Sequence, residues 1–123
     1  TLICALIGTP YEIDFTDAIV CLEDVEEAPY RIDRMLTQLI GGKTFKNASG
    51  IVFGICAGCN EATNPDSFSL KEVIQDRIQP LNIPAVYGMS FGHIAHSFTF
   101  PIGINAQLDT QEMRLQLLEK PVM

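Results

Sequence analysis

The sequence is short of positive charge. It carries 8 Lys and Arg against 15 Asp and Glu, a formal net charge of -7. Such a surface repels a phosphate backbone or an anionic membrane unless basic residues cluster. Here they are scattered along the chain, so neither nucleic acid nor a membrane surface is expected as a partner. No apolar run approaches the ~20 residues that span a bilayer. The opening TLICALIG lacks the basic flank and cleavage site of a signal peptide. There is no internal repeat and no low-complexity tract.

What remains is a folded domain. A chain of 123 residues, 47% of them hydrophobic, suits one domain with one core, here residues 1–123. It needs no disulfide staples. Cys4 and Cys21 lie in apolar runs, where a reduced thiol packs like a small hydrophobe. That usage fits a reducing compartment. The chain starts at Thr1 inside an apolar helical pattern, with no Met and no cap. The expectation is a piece of a longer protein.

The elements read in order. TLICALIG is the end of a helix stopped by Gly8 and Pro10. AIVCLE is a buried strand that ends at the carboxylates Glu23, Asp24, Glu26 and Glu27. Pro29 opens a helix whose stripe is Ile32, Met35, Leu36, Leu39 and Ile40, ended by Gly41 and Gly42. GIVFGIC is a second strand, and AGCNEATNPDSF a loop. Ser69 and Glu72 have capping-box spacing ahead of Leu70, Val73, Ile74 and Ile78. IPAVYGM is a third strand, and SFTFPIG, INAQLD and MRLQLLE read as an antiparallel meander. The alternation predicts an α/β fold, with parallel pairing first and antiparallel strands last.

Chemistry concentrates at two strand ends. Glu23 directly follows an apolar strand, and His93 lies just past the third strand, behind Gly92. The carboxyl edge of a parallel sheet is where sites of α/β proteins form. A carboxylate can fix the tautomer of an imidazole, which then takes a nucleophile's proton. The two are therefore expected on one edge, facing a common cleft. Glu26 and Glu27 precede a helix and read as solvated charges favoured by its dipole. Ser90 precedes His93 by three residues and is a poor nucleophile. Cys56-Ala-Gly-Cys59 is a C-x-x-C, but loop residues follow it rather than the helix that a redox pair needs. The H-x-x-H of His93 and His96 is too short for a zinc finger. Free thiols, with no metal and no obligatory disulfide, are expected.

Together the stretches ALIGTPYEID, LEDVEEAPYRIDRMLTQL, GIVFG, IPAVYGMSFGH and FPIGINAQLD resemble the C-terminal half of the LD-carboxypeptidases, serine peptidases of family S66. The resemblance covers essentially the whole chain. It implies a swivelling β/β/α-type domain with a mixed parallel and antiparallel sheet and flanking helices. It implies a Ser-Glu-His triad, with Glu23 from the LED motif and His93 from the FGH motif. The serine would belong to an N-terminal domain absent from this chain. The resemblance further implies no cofactor, a homodimer, a place in the bacterial cytoplasm, and a peptidoglycan-derived substrate. That substrate is a murein tetrapeptide that loses its terminal D-alanine in cell-wall recycling. Two alternatives stand beside it. One is the microcin-immunity branch, which cleaves a toxic aminoacyl-nucleotide analogue and lacks the DVEEAPYRIDR continuation. The other is a non-catalytic module that binds a muropeptide or a partner. The resemblance assigns no role to His96, Cys56 or Cys59, and His96 reads as rim or structural.

Overall fold

A computed structural model of the chain describes residues 1–60 and 66–120. The elements are α1 (Leu2–Leu6), β1 (Ile19–Leu22), α2 (Pro29–Gly41), β2 (Gly50–Gly54), α3 (Leu70–Ile78), β3 (Ala85–Met89), β4 (Ala106–Asp109) and β5 (Arg114–Leu117). Short 3-10 turns, Phe45–Asn47 and Gln79–Leu81, lead toward β2 and β3. Strands β1, β2 and β3 form a parallel sheet in that order, and β4 and β5 pair antiparallel as a second sheet. The α/β class and the succession of parallel and antiparallel pairing agree with the sequence reading. Part of the long loop expected after β2, residues 61–65, lies outside the described residues, as do residues 121–123.

Strand β2 is buried along its whole length, as expected for the middle strand of a covered parallel sheet. Its register sets Val20 beside Ile51 and Leu22 beside Phe53. Those four side chains join Ile32, Leu36 and Leu39 of α2 and Leu70, Val73, Ile74 and Ile78 of α3 in one core. Met35 and Ile40 of the α2 stripe are half-buried and pack against that core. Successive strand residues face opposite sides, so Gly50 and Val52 face away from the helices. A Cβ on Gly50 would lie 2.9 Å from Leu108 Cδ2 of β4. The β4–β5 hairpin thus reaches the second face of the sheet, and the layers run hairpin, parallel sheet, helices.

Local chemistry ends the elements where the sequence signals. Pro29 sits in the first turn of α2, where its missing N–H costs nothing. At α3 the capping box is complete. Ser69 Oγ accepts the Glu72 N–H at 3.3 Å, and the Ser69 N–H donates to Glu72 Oε2 at 2.8 Å.

One expected strand is missing. Residues 97–103, SFTFPIG, form no strand. Pro101 has no N–H to give a ladder, and the segment is held by other contacts. The Phe98 N–H donates to the Ser90 carbonyl at 2.7 Å, and the Phe100 ring meets Phe91 edge-on at 5.1 Å. The segment therefore folds back over the end of β3 instead of joining a meander.

Ser69→Ala removes the acceptor of the α3 cap. It is expected to cost about 1 kcal/mol, read as a lower urea midpoint with an unchanged slope.

Candidate functional site

Glu23 and His93 come from strands that are not neighbours. Strand β2 lies between β1 and β3, so roughly 9.5 Å separates the two outer strands. The chain after β3 must cross the end of β2 to reach Glu23. Two features permit this. A bulge breaks the β2–β3 register, pairing Phe53 with Tyr87 but Gly54 with Met89. The extra residue is Gly88, at φ +94°, and a bulge of this kind bends its strand. Beyond it, the Phe91 carbonyl accepts the Ile55 N–H at 3.1 Å, which ties the crossing chain to the end of β2.

The crossing delivers His93 to Glu23. The ring Nδ1 lies 3.0 Å from Glu23 Oε1 and 3.1 Å from Oε2. The His93 backbone N–H donates to Oε1 at 3.2 Å. The carboxylate side chain is 14% exposed and the imidazole 65%. The fixed partner is thus covered while the ring stays open to solvent. An acceptor at Nδ1 selects the tautomer with its proton there and leaves the Nε2 lone pair free. Among the described residues, no serine or cysteine side chain hydrogen-bonds the ring. The hydrogen bond to Glu23, and then its charge, raise the His93 pKa above the ordinary 6.5.

The acidic loop is held from below by the C-x-x-C segment. The Glu26 N–H donates to the Ala57 carbonyl at 2.8 Å. The Glu27 N–H donates to Cys59 Sγ at 3.4 Å, and the Cys59 thiol lies 3.5 Å from the Asp24 carbonyl. Both thiols are free and buried, and burial pushes both pKa values up. Such thiols are poor nucleophiles, and Cys59 serves here as a hydrogen-bonding strut. Nothing in the C-x-x-C spacing announces that use. Among the described residues, no group of three or more His, Cys, Asp or Glu could hold a metal ion. Glu27, two residues before α2, pairs with Arg31 in the first turn of that helix at 3.4 Å.

The pair opens onto a cavity of about 540 Å³. Glu23, Asp24 and His93 supply its polar edge, and Phe53, Phe91 and Phe100 are among its apolar walls. His96 is exposed, and the hydrogen bonds and ion pair of the Glu23 carboxylate go to His93 instead. Ser90 is half-buried and is engaged through its carbonyl with Phe98. The structure thus brings together the two residues expected to meet and leaves His96 and Ser90 apart from them. Sequence reasoning passed over the close approach of Gly92, where a Cβ would fall 2.5 Å from Glu23 Cγ. The only signal was a glycine directly before the histidine.

These observations define a class: a layered α/β domain with a carboxylate-held imidazole at the carboxyl edge of its parallel sheet. The chain belongs to the LD-carboxypeptidase C-terminal domain family, whose model matches residues 1–108. It is 38% identical over 112 residues to a Bacillus subtilis (strain 168) protein named "Probable murein peptide carboxypeptidase", covering 91% of this chain and 35% of that protein. Its fold is similar to the crystal structure of muramoyltetrapeptide carboxypeptidase from Oxalobacter formigenes. That match has a TM-score of 0.82 and 29% identity over 94% of this chain and 41% of the other. The microcin self-immunity protein MccF has a similar fold at a TM-score of 0.81, with 18% identity over 96% of this chain and 35% of the other. The chain therefore spans little more than a third of the length of these relatives. Among the described residues, no helix is long and apolar enough to cross a membrane.

The Glu23 contact has a measurable signature. The His93 ring should titrate above 6.5 by NMR, and Glu23→Gln should lower that value. Because the folded-state pKa is raised, the pair's contribution to stability is complete below 6.5. It fades as pH rises through the raised value.

Proposed function

We propose that this chain supplies the Glu23 and His93 of a Ser-Glu-His triad in a serine-type LD-carboxypeptidase. The substrate class is the murein tetrapeptide, and the reaction removes its terminal D-alanine in cell-wall recycling in the bacterial cytoplasm. The observation that carries this reading is the imidazole held at Nδ1 by a covered carboxylate, with Nε2 free. Family membership over residues 1–108 supports the reaction class.

The nucleophile comes from an N-terminal domain of the same protein. Its hydroxyl proton passes to His93 Nε2 as the oxygen bonds the carbonyl carbon at the L-to-D peptide bond. Glu23 keeps the ring oriented and stabilises the imidazolium. The proton then goes to the departing amine, the C–N bond breaks and D-alanine leaves. Water, deprotonated by the same ring, hydrolyses the acyl-enzyme and restores the serine. Every step draws on protein side chains and water, with no cofactor. The assembly we propose is a homodimer.

A microcin-immunity activity is the second reading, and the fold likeness to MccF accommodates it. The DVEEAPYRIDR continuation after Glu23 favours the carboxypeptidase branch. A non-catalytic module that binds a muropeptide or a partner is a third. Release of D-alanine from a murein tetrapeptide by the full-length protein, beside a toxic aminoacyl-nucleotide analogue as competing substrate, separates the three.

In the full-length protein, His93→Ala should lower kcat by roughly 10³-fold or more, because the serine keeps its proton. Glu23→Gln should cost about 10²–10⁴-fold, and His96→Ala should leave most of the rate. The present chain alone should release no D-alanine. The rate should rise with pH as His93 loses its proton. The midpoint of that limb should lie above 6.5 and move down in Glu23→Gln. A His93→Ala enzyme of normal rate rules out the assignment.

A further inference from the structure

The chain that crosses β2 passes Glu23 at very short range. Gly92 adopts a left-handed backbone, φ +115°, which favours glycine. A Cβ on it would lie 2.5 Å from Glu23 Cγ, 2.7 Å from Cδ and 2.8 Å from Oε1. All three atoms belong to the side chain on which the imidazole rests. The carboxylate has little freedom to yield, since it is largely covered and receives two N–H groups of His93, one from backbone and one from the ring. Swinging it aside would break both bonds. The turn just before is constrained in the same way. A Cβ on Gly54 would fall 2.5 Å from the Phe91 carbonyl oxygen and 2.7 Å from its ring. That carbonyl is the one tied to the Ile55 N–H.

We propose that Gly92 is a positioning residue for the Glu23–His93 pair. Its missing side chain leaves the space in which the Glu23 carboxylate lies against the 92–93 backbone and accepts both N–H groups of His93. Gly54 makes the matching space for the Phe91 carbonyl, so the crossing chain is seated at two successive points. The consequence for turnover rests on the function proposed above; the steric claim does not.

Two measurements test it. In the first, the His93 ring is titrated by NMR in the wild type, Gly92→Ala and Glu23→Gln. The expected result is that Gly92→Ala moves the His93 titration down, toward the Glu23→Gln value. A folded Gly92→Ala protein with the wild-type His93 titration overturns the proposal. In the second, melting temperatures are compared for the wild type, Gly92→Ala, Glu23→Ala and the double variant. With Glu23 cut back to Ala, the atoms that the new Cβ would strike are gone. The loss caused by Gly92→Ala should therefore be smaller in the Glu23→Ala background. If Gly92→Ala does not fold, the double variant should. Equal losses in both backgrounds, or failure of both to fold, would trace the need for glycine to the backbone angle alone and reject the role. In the full-length protein, Gly92→Ala should lower kcat with little change in KM. A shifted His93 titration beside normal turnover in full-length His93→Ala would leave the positioning role standing and remove the catalytic one.

Discussion

Parallel pairing of β1, β2 and β3 is the constraint on which the site depends. Parallel strands end on the same edge, so the chain leaving β1 and the chain leaving β3 emerge on one side of the domain. The same pairing also creates the difficulty. The strands that carry Glu23 and His93 are separated by β2, and only a chain crossing its end can close the gap. The Gly88 bulge, the Phe91 carbonyl tied to Ile55 and the two glycines without room for a Cβ all serve that crossing.

The resulting pair is asymmetric in its exposure. Glu23 is covered, anchored behind β1 and in contact with both N–H groups of His93. His93 is open to solvent on a loop. A carboxylate shielded from water interacts more strongly with its partner than one fully hydrated, while the exposed ring face can meet a group from elsewhere. This division suits a residue that must be held at one nitrogen and reached at the other. The apolar walls of the neighbouring cavity extend the low-polarity surroundings beyond the pair.

The acidic loop illustrates how one residue type can serve unlike ends. Four carboxylates crowd positions 23, 24, 26 and 27, yet they have separate neighbours. Glu23 takes the imidazole, and Glu27 takes Arg31 in the first turn of α2. Glu26 is held at positive φ by its bond to Ala57, beside Gly58, itself at positive φ. The C-x-x-C segment supplies the floor, with a buried thiol standing where a carbonyl or hydroxyl often serves. Its cysteines are therefore part of the site's support, although their spacing invites a reading as redox or metal chemistry.

Much of this was legible in the order of residues. Local periodicity and capping reveal β1, β2, β3, α2 and α3, because burial stripes and the Ser69–Glu72 box act over a few residues. The family motifs around Glu23 and His93 point to the pair for a different reason: they mark positions without explaining them. The segment 97–103 misled, because its apolar alternation resembles a strand while Pro101 and the contact of Phe100 with Phe91 draw it elsewhere. What tertiary structure alone decided is everything that depends on distance across the sheet. The seating of Leu108 of the β4–β5 hairpin against Gly50, the strut role of Cys59 and the closeness of Gly92 to Glu23 join residues far apart in the chain. Local sequence encodes which conformations a segment prefers. Whether a methyl group would fit at position 92 is set by a side chain sixty-nine residues away, and only the packed fold brings the two within reach.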